Sequence, residues 1–82
     1  MRRHREASAV MRRFDAQALR AALDQQRVER GMTWAEVSVE IGVSASTMTR
    51  LQLGGRLEVD GVLAMVGWLG RPVEDFVREA SR

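Results

Sequence analysis

Residues 33–53, TWAEVSVEIGVSASTMTRLQL, constrain the fold more than any other part of the chain. Thr33 and Glu36 stand at capping-box spacing, in which each side chain satisfies an orphan backbone N–H at a helix start. Val37 and Ile41 follow at i and i+4 and share one helical face. The small Ser38 lets a second helix cross closely there. Gly42 ends the first helix, because a left-handed C-cap costs glycine little. Val43 returns to the core, Ser44 caps a second helix, Met48 and Leu51 face inward, and Gly54-Gly55 stops it. Two short helices around a glycine turn also occur as plain hairpins in bundles. The outer face of the second helix argues for more. Ala45, Ser46, Thr47, Thr49 and Arg50 make it short and polar, where a solvated helix usually carries Glu and Lys. Small hydroxyls and one guanidinium approach base edges and phosphates closely.

The flanking sequence supplies further helices. Phe14 and Asp15 read as a hydrophobic staple and an N-cap for a helix over residues 15–30. Its inner stripe is Leu19, Ala22 and Leu23, its C-cap is Gly31, and Val28 falls on the exposed side. Arg27 and Arg30 lie in the last turn, where they favour the helix dipole. Asp60 is expected to cap a helix over residues 60–69 with Val62, Met65, Val66 and Leu69 on its core stripe. Leu63 and Trp68 fall off that stripe, and either pack on the terminal segments or form an association patch. Pro72 is expected to start a last short helix with Glu74 and Asp75 in its first turn and Phe76 and Val77 inward.

Residues 1–13 form a basic N-terminal segment. It reads as an arm reaching phosphates or the minor groove, as a frayed tail, or as a helical extension through Ala7, Val10/Met11 and Phe14. Residues 14–82 form the domain. The 82 residues support one core, and 45% apolar content suits a globular chain. There is no Cys, and the sole His is His4. Disulfides and Cys-ligated metals are excluded, and no metal or other cofactor is expected. No apolar run approaches the about 18–20 residues that span a membrane, and no h-region follows the basic start. A soluble, cytoplasmic, nucleoid-associated protein is expected. The net charge of +2 is unevenly spread: residues 1–14 hold five Arg and one Glu, and residues 15–82 hold eight Arg and ten acids. Any attraction to DNA therefore depends on local placement, helix N-termini and the N-terminal segment. No Gly-rich phosphate loop, repeat or catalytic constellation is present, and Ser44 and Ser46 have no base beside them. An enzyme is not expected.

The register of Val37, Ser38, Ile41, Gly42, Val43, Ser44, Met48 and Leu51 resembles the helix-turn-helix of the Cro and phage-repressor (XRE) family of DNA-binding proteins, over roughly residues 14–77. The resemblance implies an all-α fold, a compact five-helix lambda-repressor-like domain, with a recognition helix at about residues 44–53 in the major groove. It further implies a DNA-binding set of Thr33, Trp34, Ser44, Ala45, Ser46, Thr47, Arg50 and Arg56. Thr33 and Trp34 match positions that meet a phosphate. Trp34 departs from the family's usual Gln, and its rival role is partial burial against the fourth helix. Ser44, Ala45, Ser46, Thr47 and Arg50 match the base-reading side. There Arg50 suits guanine O6 and N7, and Ala45 or the Thr47 methyl suits a thymine methyl. Arg56 and the Gly55 N–H match the loop that lies along the phosphate backbone. The family's Arg at position 27 often pairs with an acid near the end of the recognition helix; here the match is Gln52, which leaves a hydrogen bond.

The implied function is sequence-specific binding of double-stranded DNA by a small bacterial or phage transcriptional regulator, with repression favoured over activation and a homodimer on a two-fold operator. An antitoxin-like interaction module would instead hold a toxin or other protein partner through Leu63, Trp68 and the C-terminal helix. A structural adaptor that has lost DNA binding is the third reading.

Overall fold

The computed structural model describes residues 10–81. In order these form strand β1 (Val10–Phe14), helices α1 (Ala16–Glu29), α2 (Trp34–Ile41), α3 (Ala45–Leu53) and α4 (Val59–Leu69), a 3-10 turn at Val73–Phe76, and strand β2 (Val77–Ser81). Residues 1–9, with Ala7 and His4 among them, lie outside the described residues.

The helix starts follow the local chemistry of the sequence. The Asp15 Oδ1 accepts the Ala18 N–H at 3.0 Å and opens α1. Thr33 and Glu36 close a reciprocal capping box at 3.1 and 2.8 Å and open α2. Gly42, at φ 91° and ψ 26°, ends α2 in the left-handed region. Its N–H and that of Val43 both donate to the Ser38 carbonyl, at 2.9 and 3.1 Å. The helix is thus closed and the chain turned within three residues, before Ser44 starts α3. The α4 start differs from expectation. The helix begins at Val59 with Glu58 at the N-cap and no side-chain cap, and Asp60 sits inside the first turn.

The core is Leu19, Leu23, Val37, Met48, Leu51, Met65, Val66 and Phe76. Burying each such side chain contributes roughly 1.5–3 kcal/mol relative to leaving it in water. Ser38 is also buried, at 5% exposure, and its hydroxyl donates to the Ala35 carbonyl at 2.8 Å. A small, internally satisfied residue thus sits beside α3 without an orphan polar group. Val28 is 61% exposed, as its place on the wheel requires.

Two expectations are corrected. Four α-helices are present among the described residues, not five. The last helix is only the 3-10 turn that Pro72 precedes, and the chain then becomes extended. Phe76 is buried, but Val77 begins β2. Residues 10–13 are not a helical extension: β1 pairs antiparallel with β2, from Phe14 opposite Val77 to Val10 opposite Ser81. The Asp15 N–H donates to the Phe76 carbonyl at 2.6 Å and joins the ribbon to the helical body. Phe76 sits in the core, so the backbone beyond it lies alongside the segment before α1, and pairing satisfies both.

Trp68 belongs to the packing. Its ring lies under the Arg30 guanidinium at 5.0 Å, and its indole N–H donates to Glu40 Oε1 at 2.7 Å. Its carbonyl accepts from Gln26 Nε2 at 3.3 Å. One residue of α4 is thereby tied to both α1 and α2. Leu63 is 51% exposed.

Candidate nucleic-acid interface

The α3 helix lies against the core through Met48 and Leu51, which fixes the direction of every other side chain on it. At 100° per residue, Ser46 and Leu53 point straight away from that pair, and Thr49 and Arg50 flank them. All four are exposed, as is Ala45.

The first turn of α3 carries a closed set of hydroxyls. Ser44 Oγ accepts the Thr47 N–H at 3.1 Å as the helix cap. Its single proton goes to Thr47 Oγ1 at 2.9 Å. Ser46 Oγ lies 3.1 Å from Ser44 Oγ, so Ser46 is the donor in that contact. The count leaves the Thr47 proton and the Ser46 lone pairs for an outside partner, and Ser44 committed to the cap. Thr47 is half-buried: a Cβ built on Gly61 of α4 would stand 3.6 Å from its Cγ2 methyl. That methyl faces α4, which leaves Ala45 as the residue able to meet a thymine methyl.

Arg50 is exposed, and its guanidinium makes no ion pair or hydrogen bond among the described residues. Its stem runs beside Gly55, where a built Cβ would meet Arg50 Cγ at 3.4 Å. The Gly55 N–H is not available to a phosphate, because it donates to the Arg50 carbonyl at 2.7 Å. Arg56, also exposed, lines a groove with Arg13, Phe14 and Gly54.

At the start of α2, Thr33 is exposed and its backbone N–H is held by Glu36. Trp34 is half-buried between α1 and α3. The Arg27 guanidinium lies 4.9 Å from its ring centroid, and the ring lines a groove with Ala45, Thr49 and Gln52. The expected partial burial is therefore present, and the ring packs against the core cluster to which Met65 and Val66 of α4 belong. The indole N–H has no partner among the described residues. Arg27 does not bond Gln52. It pairs with Asp24 Oδ1 at 2.6 Å and donates to the Met32 carbonyl at 3.0 Å, because both lie closer along its own chain. The tie from α1 to α3 is made by Arg20, whose Nη1 donates to the Gln52 carbonyl at 2.9 Å.

The geometry brings Trp34, Ala45, Ser46, Thr47 and Arg50 into one region running from the start of α2 across α3, with Arg56 beyond its end. Thr33 borders the region through its cap, and Ser44 supports it. Thr49, placed on the outer face by the sequence but left out of the DNA-binding set, is exposed and lines the same groove as Trp34 and Ala45. The helical wheel taken from Met48 and Leu51 carried that signal. Comparison with protein-family models, curated proteins and solved structures gives no match for this chain.

Proposed function

We propose that the chain is a sequence-specific double-stranded DNA-binding protein of the Cro and phage-repressor (XRE) type, acting as a small transcriptional regulator of a bacterial or phage genome. One observation carries the reading: α3 turns toward solvent a short hydroxyl-rich face and an Arg50 guanidinium with no ion pair among the described residues. On this reading α3 enters the major groove, about 12 Å wide and able to admit a helix. Arg50 addresses guanine O6 and N7. Ser46 accepts and Thr47 donates a hydrogen bond to base edges, and Ala45 meets a thymine methyl. The Trp34 indole N–H and Arg56 hold phosphates on either side and set the depth of entry. Repression follows from covering an operator, which requires nothing beyond the bound protein.

One α3 offers few discriminating contacts. Specificity therefore comes from two copies on a two-fold operator, with half-site centres about 10 base pairs apart. Selection of bound duplexes from a random library of about 30 base pairs, long enough for both half-sites, tests the reading. Enrichment of a palindrome is expected; a folded protein that enriches nothing refutes it. Arg50→Ala is expected to cost about 1–3 kcal/mol and to relax preference at one or two positions. Equal binding of all sequences by variant and parent would remove Arg50 from its role.

A protein-holding function of antitoxin type is the second reading. It is favoured by the exposed Leu63 and Val59 beside Phe14 in one groove. Trp68 drops out of it, because its ring and N–H are engaged internally.

A further inference from the structure

The ribbon register sets Arg13 directly opposite Arg78 and Arg12 opposite Glu79. Directly opposed residues of an antiparallel pair leave the same face of a sheet. One face of the ribbon therefore carries Arg12 with Glu79 across from it, and the other carries two arginines directly opposed. Like charges directly opposed destabilise a ladder. Among the described residues neither Arg13 nor Arg78 makes an ion pair that would offset this. Charge is concentrated here as well. The two strands hold three Arg and one Glu, a net +2, whereas residues 15–76 hold six Arg and nine acids, a net −3.

The position of the pair matters more than its charge. Arg13 lines a groove with Arg56, Gly54 and Gly55. Arg78 lines a second groove with Arg20, Asp15 and the same Gly54. Phe14 lies between the two grooves and lines both. Four arginines thus line the grooves beside the turn that ends α3, Arg20 with its Nη1 donating to the Gln52 carbonyl, and Gly54 and Gly55 of that turn carry no side chain to keep a ligand away. The Asp15 carboxylate beside Arg78 caps α1, where it accepts the Ala18 N–H. Among the described residues the whole cluster is exposed or half-buried, as a surface for a polyanion must be.

We infer that the β1–β2 ribbon is a phosphate clamp, and that Arg13 and Arg78 grip the DNA backbone next to the groove that α3 enters. This rests on the DNA-binding reading and extends it: the footprint passes beyond the helices onto the ribbon, and the like-charge pair is relieved by the phosphates it holds. The clamp adds affinity without sequence preference, because phosphates are the same at every base pair.

The test is fluorescence anisotropy of a labelled duplex against salt, for the parent, the Arg13→Gln/Arg78→Gln double variant and Arg78→Glu, with thermal melting of each. Each phosphate contact contributes about 0.9 to the slope of log K against log salt. The double variant is expected to lose about 2 from that slope and to weaken equally on all duplexes. Arg78→Glu places an acid opposite Arg13 and is expected to melt higher than the parent while binding DNA more weakly. A role confined to structure cannot move the two in opposite directions. A double variant that keeps the parental slope overturns the clamp and leaves the α3 reading intact. A lower melting temperature for Arg78→Glu overturns it too, since the pair would then be held by something inside the protein. A folded parent that binds no duplex removes the DNA reading itself.

Discussion

Replacing Gly42 by alanine isolates the cost of the turn between α2 and α3. The residue sits at φ 91° and ψ 26°, and a Cβ built on it meets nothing within 4 Å. No clash contributes, and the N–H that donates to the Ser38 carbonyl is retained. What remains is the left-handed backbone, about 1–2 kcal/mol for an L-residue. The more restricted unfolded chain of the alanine variant offsets a part of this. A net loss of about 1 kcal/mol lowers the melting temperature of a domain this size by about 4–8 °C. In urea, with a slope near 1 kcal/mol per molar, the midpoint falls by roughly 1 M. Gly67→Ala is the matched control. It lies inside α4, its built Cβ also meets nothing within 4 Å, and its φ is not in the left-handed region. There the same chemical change is expected to stabilise by about 0.5–1 kcal/mol. Asparagine, which tolerates the left-handed region, is expected to fall between glycine and alanine at position 42. Urea unfolding followed by far-UV dichroism reads all three. If Gly42→Ala matches the parent midpoint with an unchanged slope while Gly67→Ala rises, the reasoning is refuted: the turn would have a second geometry of equal energy.

Two further predictions concern the support of α3 and α4. Leu51→Ala, at a side chain 2% exposed, is expected to cost about 2–5 kcal/mol by denaturant unfolding; a loss under 1 kcal/mol would mean that the site collapses freely. Trp68→Phe removes the donor to Glu40 and is expected to cost about 0.5–1.5 kcal/mol, with the loss shrinking when Glu40 is already Ala, which removes the acceptor; additive losses would show that the bond contributes nothing.

Much of the candidate interface is legible in the sequence because its determinants are local. The capping box at Thr33, the Gly42 turn, the Ser44 cap and the inward Met48–Leu51 pair each depend on residues within four positions, and helical periodicity alone turns Ser46 and Arg50 outward. What fails depends on neighbours distant in sequence. The direction of the Thr47 methyl is set by Gly61 passing beside it. The Arg27 side chain could have reached across to α3, but Asp24 one turn back and the Trp34 ring hold it. The ribbon left almost no trace. VMRRF and VREAS are five residues each, lack apolar alternation, and have no hairpin turn between them. The stop of α4 and the Pro72 turn were readable, yet nothing local says that the chain beyond them is extended.

Partners in the ribbon ladder stand 63 to 71 positions apart along the chain, the largest separations of any paired backbone described above. Such a ladder closes only after the helices have brought its two halves together, since loop closure must precede the contacts that reward it. The ribbon is therefore expected to form last and to open first. In hydrogen exchange its amides are expected to report a local opening of low free energy, and the amides of the buried Leu19, Leu51 and Met65 to exchange only through global unfolding. A ligand gripping the ribbon would slow the fast set first, so protection of the strands separates occupancy of the ribbon from occupancy of α3 within one experiment.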